Sequence, residues 1–226
     1  MRRLLAISLA VLFALALAGA GELLAQGQFK AAYESAAKEG NWVLAARAAS
    51  FYAMYQAEGK KERSTWFARA EAAAKRAIQA EPKNPEAYFE LARALGRLAQ
   101  YRGILQSLSL AAGVRDNLKK ALALKPDYAS ALVALALWHL ELSQKGVGWL
   151  YGADAGKVIP LFERAIELEP DRIIHRYEYA RALYRLGKRR EALKQLEVAL
   201  SLPPRDARDE YVLAEAQELL EKLLKK

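Results

Sequence analysis

A short sequence motif that ends in proline recurs along this chain and constrains its fold more than any other feature. The motif ends at Pro82, Pro126 and Pro170, so its copies lie 44 residues apart, and a shorter interval of 34 residues leads to Pro204. Such periods are typical of chains built from stacked helix pairs, because one pair cannot bury its apolar faces alone. The two equal intervals indicate duplication of one lengthened unit.

The last unit, residues 173–204, has the pattern of two amphipathic helices joined by a tight turn. Apolar residues recur at helical spacing on both sides of Gly187, which can adopt the left-handed conformation of a helix end. Small residues at Ala180, Ala192 and Ala199 allow the two backbones to approach closely. The period and five matching positions resemble the tetratricopeptide repeat (TPR) family: Tyr179, Ala180, Gly187, Ala192 and Ala199.

This resemblance implies an all-α fold, a right-handed superhelical solenoid of antiparallel helix pairs with about ten helices. We predict degenerate helical repeats at residues 21–81 and three TPR-like units at residues 82–204, two of 44 residues and one of 34. A C-terminal helix is predicted at residues 205–226. We expect it to cap the last repeat, and the alternative is an amphipathic helix that binds a partner.

Local signals predict several helix boundaries. Asn84 precedes a proline and is expected to cap a helix, and Ser64 is expected to cap a helix at residues 65–81. In both long units, the ten additional residues are expected between the first and the second helix. In the first of them, this places an irregular connection at residues 101–113 and the second helix at residues 116–124.

The N-terminus has the three parts of a secretion signal. Two arginines precede a 15-residue apolar run from Leu4 to Ala18, and small residues occupy positions 18 and 20. We predict a signal peptide at residues 1–20 that is cleaved after Ala20 or, alternatively, after Ala25. The run is shorter than the roughly 20 apolar residues of a spanning helix, which favours cleavage over an uncleaved inner-membrane anchor. The chain has no cysteine for a lipid anchor. We therefore predict secretion to the periplasm or cell envelope, with no membrane span after cleavage.

The charged residues favour solvated helix faces. The chain has a formal net charge of +9, and its charges alternate along the predicted helices, as in the pair of Glu90 and Arg93. The densest basic cluster, residues 188–190, falls on a predicted turn and has no aromatic platform or zinc-ligand spacing beside it. We therefore expect no nucleic-acid partner.

The sequence shows no recognisable catalytic or metal-binding pattern. His139 and His175 are its two histidines, and neither has a second metal ligand four residues away. His139 lies in an apolar predicted helix and is expected to be buried or half-exposed. No GxSxG motif is present. We therefore predict that the protein is not an enzyme and has neither a cofactor nor a metal site.

Residues 145–157, KGVGWLYGADAGK, form a glycine-rich connection in the second long unit. Its glycines are spaced closely enough to suggest a phosphate-binding loop, but no strand precedes them and Lys157 lacks the required Gly-Lys-Ser/Thr order. We expect Trp149, Leu150 and Tyr151 to pack against a helix. The alternative is that Trp149 and Tyr151 belong to a binding site, since long ordered loops often carry function.

In TPR proteins the first helix of each pair lines a concave groove, and the resemblance assigns groove positions in this chain. The assigned residues place arginines and aromatics on either side of an apolar middle: Phe89, Arg93, Arg97, Val133, Leu137, Tyr177, Arg181, Tyr184 and Arg185. Arginine offers paired donors to carboxylates, and an apolar floor can hold aliphatic or aromatic groups. The alternative is that the arginines only solvate the helices and the lengthened connections fill the groove.

The lengthened units also resemble the cryptic TPR repeats of two related families. These are the exported helical component of some tripartite periplasmic (TRAP) transporters and the regulators of microtubule dynamics; the resemblance rests on residues 90–94, 150–157 and 162–170. We predict an exported, non-catalytic scaffold that binds a protein or peptide in its groove. The alternative is a periplasmic carrier of a small apolar carboxylate for a transporter, with the carboxylate bound by Arg93 or Arg181 above a floor of Val133 and Leu137.

Overall fold

The computed structural model describes residues 18–101 and 104–225, and this part of the chain folds into α-helices and short turns without a β-strand. Twelve α-helices are described, so the all-α prediction is confirmed and two short helices add to the expected ten. They are α1 (Ala20–Ala25), α2 (Phe29–Lys38), α3 (Trp42–Tyr55), α4 (Gly59–Ala80), α5 (Pro85–Leu98), α6 (Ile104–Leu124), α7 (Ala129–Gln144), α8 (Gly148–Tyr151), α9 (Val158–Leu168), α10 (Ile173–Arg185), α11 (Arg189–Ser201) and α12 (Ala207–Leu224). Short 3₁₀ turns lie at Ala99–Tyr101 and Ala155–Lys157.

Two of the predicted helix boundaries are confirmed. The Asn84 side chain accepts a hydrogen bond from the backbone N–H of Glu86, and Pro85 occupies the first helical position, where its missing N–H costs nothing. Gly187 follows α10 with a φ of +78°, which is the left-handed conformation expected there. In both cases the helix boundary is determined by a few adjacent residues.

Two other boundaries are wrong. Ser64 lies inside α4, because the helix begins at Gly59 and the side chain of Glu62 accepts the backbone N–H of Glu58 at its start. The irregular connection predicted at residues 101–113 is mostly helical, since α6 runs without a break from Ile104 to Leu124. The ten additional residues therefore lengthen a helix in the first long unit, whereas in the second they form α8 and two turns.

The helices pack in consecutive pairs, which are α3 with α4, α5 with α6, α7 with α9, and α10 with α11. The small residues Ala180, Ala192 and Ala199 are fully buried where α10 and α11 meet, as predicted. Between pairs, the ring of Phe162 stacks on Tyr179 with centroids 4.9 Å apart. The apolar face of each pair is thus covered by its neighbour.

Helix α12 contacts both ends of the described chain. Its residues Val212, Ala216 and Leu223 are fully buried in a cluster with α10 and α11. On another face, the Tyr211 ring stacks on Tyr55 of α3, 4.9 Å between centroids, and lies 6.1 Å from Phe29 of α2. The last helix therefore joins the last repeat to the first helices.

Gly27 offers a direct test of this closing contact. Gly27 and Gly40 both have positive φ, +77° and +74°, but a Cβ at Gly27 would lie 2.9 Å from the Cβ of Ala207 in α12, whereas a Cβ at Gly40 meets nothing within 4 Å. We expect Gly40→Ala to cost about 1–2 kcal/mol from backbone strain alone. Gly27→Ala should cost more, because it also displaces α12. Urea unfolding of the two variants checks this, and equal losses would show that the contact adds nothing.

Candidate functional site

The first helices of three pairs, together with α12, bring a set of charged and aromatic side chains together on one surface, which we call the inner face. It comprises Phe51 and Tyr55 from α3, Phe89, Arg93 and Arg97 from α5, Tyr177 and Arg181 from α10, and Arg208 and Glu215 from α12. Five of these nine residues were predicted groove residues. The structure therefore brings the two arginine-rich sides of the predicted groove to one surface, together with α3 and α12.

A fully buried carboxylate organises one side of the inner face. Glu90 accepts a hydrogen bond from Arg47 Nε at 2.9 Å and another from Arg93 Nη2. Arg47 also reaches Glu86, with 2.5 Å between Nη2 and Oε2. The expectation that Glu90 and Arg93 form a solvated face is therefore wrong, because α3 covers them. The pairing compensates charges that would otherwise be costly to bury.

Arg93 and Arg208 both lie over the Phe51 ring. Their guanidinium carbons lie 4.9 Å and 4.8 Å from the ring centroid, within cation–π range. Burial lowers the pKa of Arg93 to about 10, against the opposing effect of Glu90. The Nε atoms of both arginines are buried and find no hydrogen-bond acceptor among the described residues. Two arginine N–H donors on the inner face are thus left without a protein acceptor.

Helix α12 contributes an acid to the same surface. Burial raises the pKa of Glu215, while the nearby Arg181 and Arg97 favour its charged form. Glu215 also lies beside Tyr177, whose ring is covered by the Arg181 guanidinium at 5.5 Å. Arg181 in turn donates to Glu178 at 2.9 Å. The C-terminal helix therefore presents a carboxylate to the arginines of α5 and α10.

The other predicted groove residues have different surroundings. Val133 is 6% exposed and belongs to the hydrophobic core, and Leu137 is half-buried against the same cluster, so they offer no open apolar floor. Arg185 is engaged by α7, donating to Glu141 and Gln144, both at 2.8 Å. The Tyr184 ring faces Lys222 of α12.

The glycine-rich connection does not pack as expected. Trp149 is 79% exposed and Leu150 is 56% exposed, so the predicted packing of this segment against a helix is wrong for both residues. Tyr151 is half-buried beside the hydrophobic core, and its carbonyl accepts a hydrogen bond from Arg115 at 2.9 Å. Gly146 and Gly152, on either side of Trp149, adopt the left-handed conformation, with φ of +72° and +71°.

Both histidines are buried, and each has a hydrogen-bonding contact through one ring nitrogen. His139, expected to be buried or half-exposed, accepts the backbone N–H of Asp154 at Nδ1. His175 Nε2 lies 3.2 Å from the Ser130 hydroxyl, and burial lowers its pKa to about 3. Within residues 18–101 and 104–225, no group of three potential metal ligands comes together, and no helix meets the length and hydropathy needed to cross a bilayer.

Sequence reasoning missed the inner-face residues outside the regular repeats. Phe51 and Tyr55 lie four residues apart in α3, a spacing that places both on one side of a helix and was available from the sequence. Arg208 and Glu215 lie in the C-terminal helix, which we interpreted from the sequence as a cap and not as part of a binding surface. No local signal reports that α12 returns to α3, because the contact joins residues that are more than 150 positions apart.

Comparison with known proteins is consistent with this architecture. The model of the family described as regulator of microtubule dynamics protein 1-3 matches residues 20–224. Regulator of microtubule dynamics protein 3 from Bos taurus is 28% identical over 156 residues, which are 63% of this chain and 33% of that protein. The chain thus spans about a third of the length of this relative.

A thermophilic TPR protein from Thermus thermophilus has a similar solved structure. It matches with a TM-score of 0.65 and 21% identity, covering 88% of this chain and 95% of the other. The similarity confirms the TPR-like fold that the proline-terminated repeats predict. At this identity, it is evidence for the fold alone.

We expect the buried Glu90 carboxylate to be needed for stability. Glu90→Gln keeps the shape of the side chain but leaves Arg47 and Arg93 without their shared charge partner, and we expect a loss of about 3–5 kcal/mol in the free energy of unfolding. Chemical denaturation measures it. The matched control is Glu167→Gln, since Glu167 pairs with Arg164 in solvent and its loss should have little effect. Similar losses in both variants would contradict the role assigned to Glu90.

Proposed function

Since this chain belongs to the regulator of microtubule dynamics protein 1-3 family and folds as a TPR-like repeat protein, we propose that it is a non-catalytic scaffold whose inner face binds a helical segment of a partner protein. Repeat solenoids use extended inner surfaces of this kind for binding, and an amphipathic helix is a common ligand of such grooves. The proposal concerns this chain, which corresponds to only part of the bovine relative.

The observation that carries the proposal is the pair of unfilled arginine donors beside Phe51. Arg93 Nε and Arg208 Nε are buried without an acceptor among the described residues, although buried polar groups are normally paired. The positive charge of these incompletely paired arginines would attract an acidic side chain of a partner, whose charge would also suit the surrounding arginines. The aromatic rings of the inner face would contact the apolar part of the same segment.

Helix α12 indicates what kind of segment this surface accepts. It places Tyr211 against Tyr55 and Phe29, and Glu215 against the arginines, four residues further along one helix. An aromatic followed by an acid at this spacing lies on one side of a helix. We therefore expect the partner segment to be a helix with an aromatic and an acidic residue four positions apart, bound next to α12 or in competition with it.

The small-ligand alternative receives no such support. Arg181, one of the two arginines expected to bind a carboxylate, already donates to Glu178 of this chain. The apolar floor expected at Val133 is closed. We therefore retain the protein-binding function alone for the inner face.

We also propose that the protein is exported to the periplasm or cell envelope after cleavage behind Ala20. The basic part of the signal and its apolar run up to residue 17 lie outside the described residues. Leu23 of α1 is 4% exposed and packs with Ala32 and Ala48, so cleavage after Ala25 would remove a packed side chain, whereas cleavage after Ala20 keeps it. This packing supports the earlier cleavage position.

N-terminal sequencing of the protein purified from the cell-envelope fraction tests the export proposal. We expect the mature chain to begin at Gly21, since this start preserves the packed Leu23. Recovery of the protein in the cytosol with Met1 or Arg2 at its N-terminus would refute both export and cleavage.

The binding proposal is tested by photo-crosslinking in cells. A photo-reactive p-benzoylphenylalanine replaces Arg97 on the inner face, and the matched control carries it at Lys194, which is exposed on α11. We expect the probe at residue 97 to capture one recurrent protein through a helical segment that contains an aromatic and an acid. The proposal would be overturned if the probe at residue 97 captured no protein, or if the probe at residue 194 captured the same protein.

A binding measurement with the captured segment completes the test. The double variant Arg97→Ala/Arg181→Ala should weaken binding by about tenfold or more, because two inner-face charges are lost. The control double variant Arg164→Ala/Lys194→Ala removes two positive charges from α9 and α11 and should leave the affinity nearly unchanged. Equal effects of the two double variants would point to non-specific charge attraction.

A further inference from the structure

A cavity of about 350 Å³ lies beside the glycine-rich connection of the second long unit. Its polar lining comes from Arg115 and Lys119 of α6, His139 of α7 and Lys157 at the end of the connection. The described lining residues include none from α3, α5, α10 or α12, which form the inner face. The cavity is therefore separate from the surface proposed to bind a partner protein.

The backbone holds His139 in one tautomer. The N–H of Asp154 donates to His139 Nδ1 at 2.9 Å, so in the neutral ring the proton lies on Nε2. Burial and the positive charges of Lys157 and Lys119 lower the pKa of His139, against the opposing effect of Asp154. The imidazole is thus a neutral N–H donor near pH 7, and Nε2–H is the group that it can offer to the cavity.

Three cations accompany this donor. The Arg115 guanidinium is fixed in place, with Nε bonded to Asp116 at 2.8 Å and Nη1 bonded to the Tyr151 carbonyl at 2.9 Å. Lys119 and Lys157 form no ion pair within the part of the chain that the structure describes, and no carboxylate is among the described lining residues. The cavity therefore combines two ammonium groups that lack a direct ion-pair partner among the described residues with an N–H donor, an arrangement that attracts an anion.

The remaining lining is apolar. It includes Trp138 and Leu161, and the Trp138 N–H already donates to the Ala111 carbonyl at 2.8 Å. The indole ring therefore serves as a flat apolar wall rather than a polar contact. A volume of this size is within the range of small-molecule sites.

From this geometry we infer that the cavity is a binding site for a small phosphomonoester whose remaining part is apolar or aromatic. A phosphomonoester carries a charge of about −1.5 to −2 near pH 7, which the ammonium groups of Lys119 and Lys157 can balance. Lysine binds phosphate as a point charge, and the His139 N–H adds a directed hydrogen bond. Trp138 and Leu161 would contact the organic part. The donors are side chains, so the site differs from a phosphate loop built from backbone N–H groups.

Isothermal titration calorimetry of the purified full-length protein with phenyl phosphate tests this inference. We expect one saturable site that binds phenyl phosphate more tightly than inorganic phosphate. Lys119→Glu and Lys157→Glu should each weaken binding by about tenfold or more, because an attractive charge becomes repulsive. The matched control is Lys120→Glu, which makes the same charge change on α6 outside the cavity lining and should alter the affinity less than about twofold. All three lysines are exposed, so the variants should fold.

A second readout follows the histidine itself. In ¹⁵N–¹H spectra of the imidazole groups, phenyl phosphate should shift the Nε2–H signal of His139 and leave His175, which does not line the cavity, unchanged. Absence of saturation at millimolar phenyl phosphate overturns the site. Equal weakening in Lys120→Glu would show general charge attraction instead. Binding of inorganic phosphate as tight as that of phenyl phosphate would overturn the assigned ligand class.

Discussion

A helix pair in this protein has no closed core of its own, and its apolar faces are covered only by the pairs on either side. This dependence explains why the stacked rings of Phe162 and Tyr179 lie between pairs rather than within one. It also leaves the two terminal pairs with an apolar face to cover. Helix α12 covers the last pair with Val212 and Leu223, and α1 packs Leu23 onto the first helices.

The same stacking determines the electrostatics of the inner face. Because α3 lies against α5, the Glu90 carboxylate is removed from water and is stabilised by Arg47 and Arg93. Burying these charges costs free energy that only close pairing offsets. Arg93 and Arg208 remain incompletely paired beside Phe51, which makes this the part of the surface best suited to an acidic ligand. The protein-binding proposal follows from that imbalance.

Sequence reasoning predicted what depends on local chemistry. Asn84 and Gly187 were placed correctly, since capping and left-handed turns are properties of a few adjacent residues. The two long units carry insertions of equal length, and we therefore expected an irregular connection in both. This expectation is wrong for the first unit, where the insertion is mostly helical. Glycines with positive φ break the helix at residues 146 and 152, whereas Gly113 at the end of the first insertion is accommodated inside α6.

The candidate site was predicted only in part, for a related reason. Five groove positions were found by their place in the repeat, because the repeat fixes which side of a helix faces inward. The spacing of Glu90 and Arg93 could not report burial, since Arg47 lies 43 positions away in the chain. Arg208 and Glu215 depend on the return of α12 to α3, and no short-range pattern encodes that return.

The contact between α12 and α3 affects how the protein unfolds. An open solenoid can unravel from either end, one repeat at a time, because each repeat contacts only its neighbours. Here the stacking of Tyr211 on Tyr55 ties the C-terminal helix to the N-terminal ones. Fraying at one terminus must therefore also break contacts at the other. The chain then behaves less like a one-dimensional array than like a closed loop, in which the two termini share a single cooperative unit.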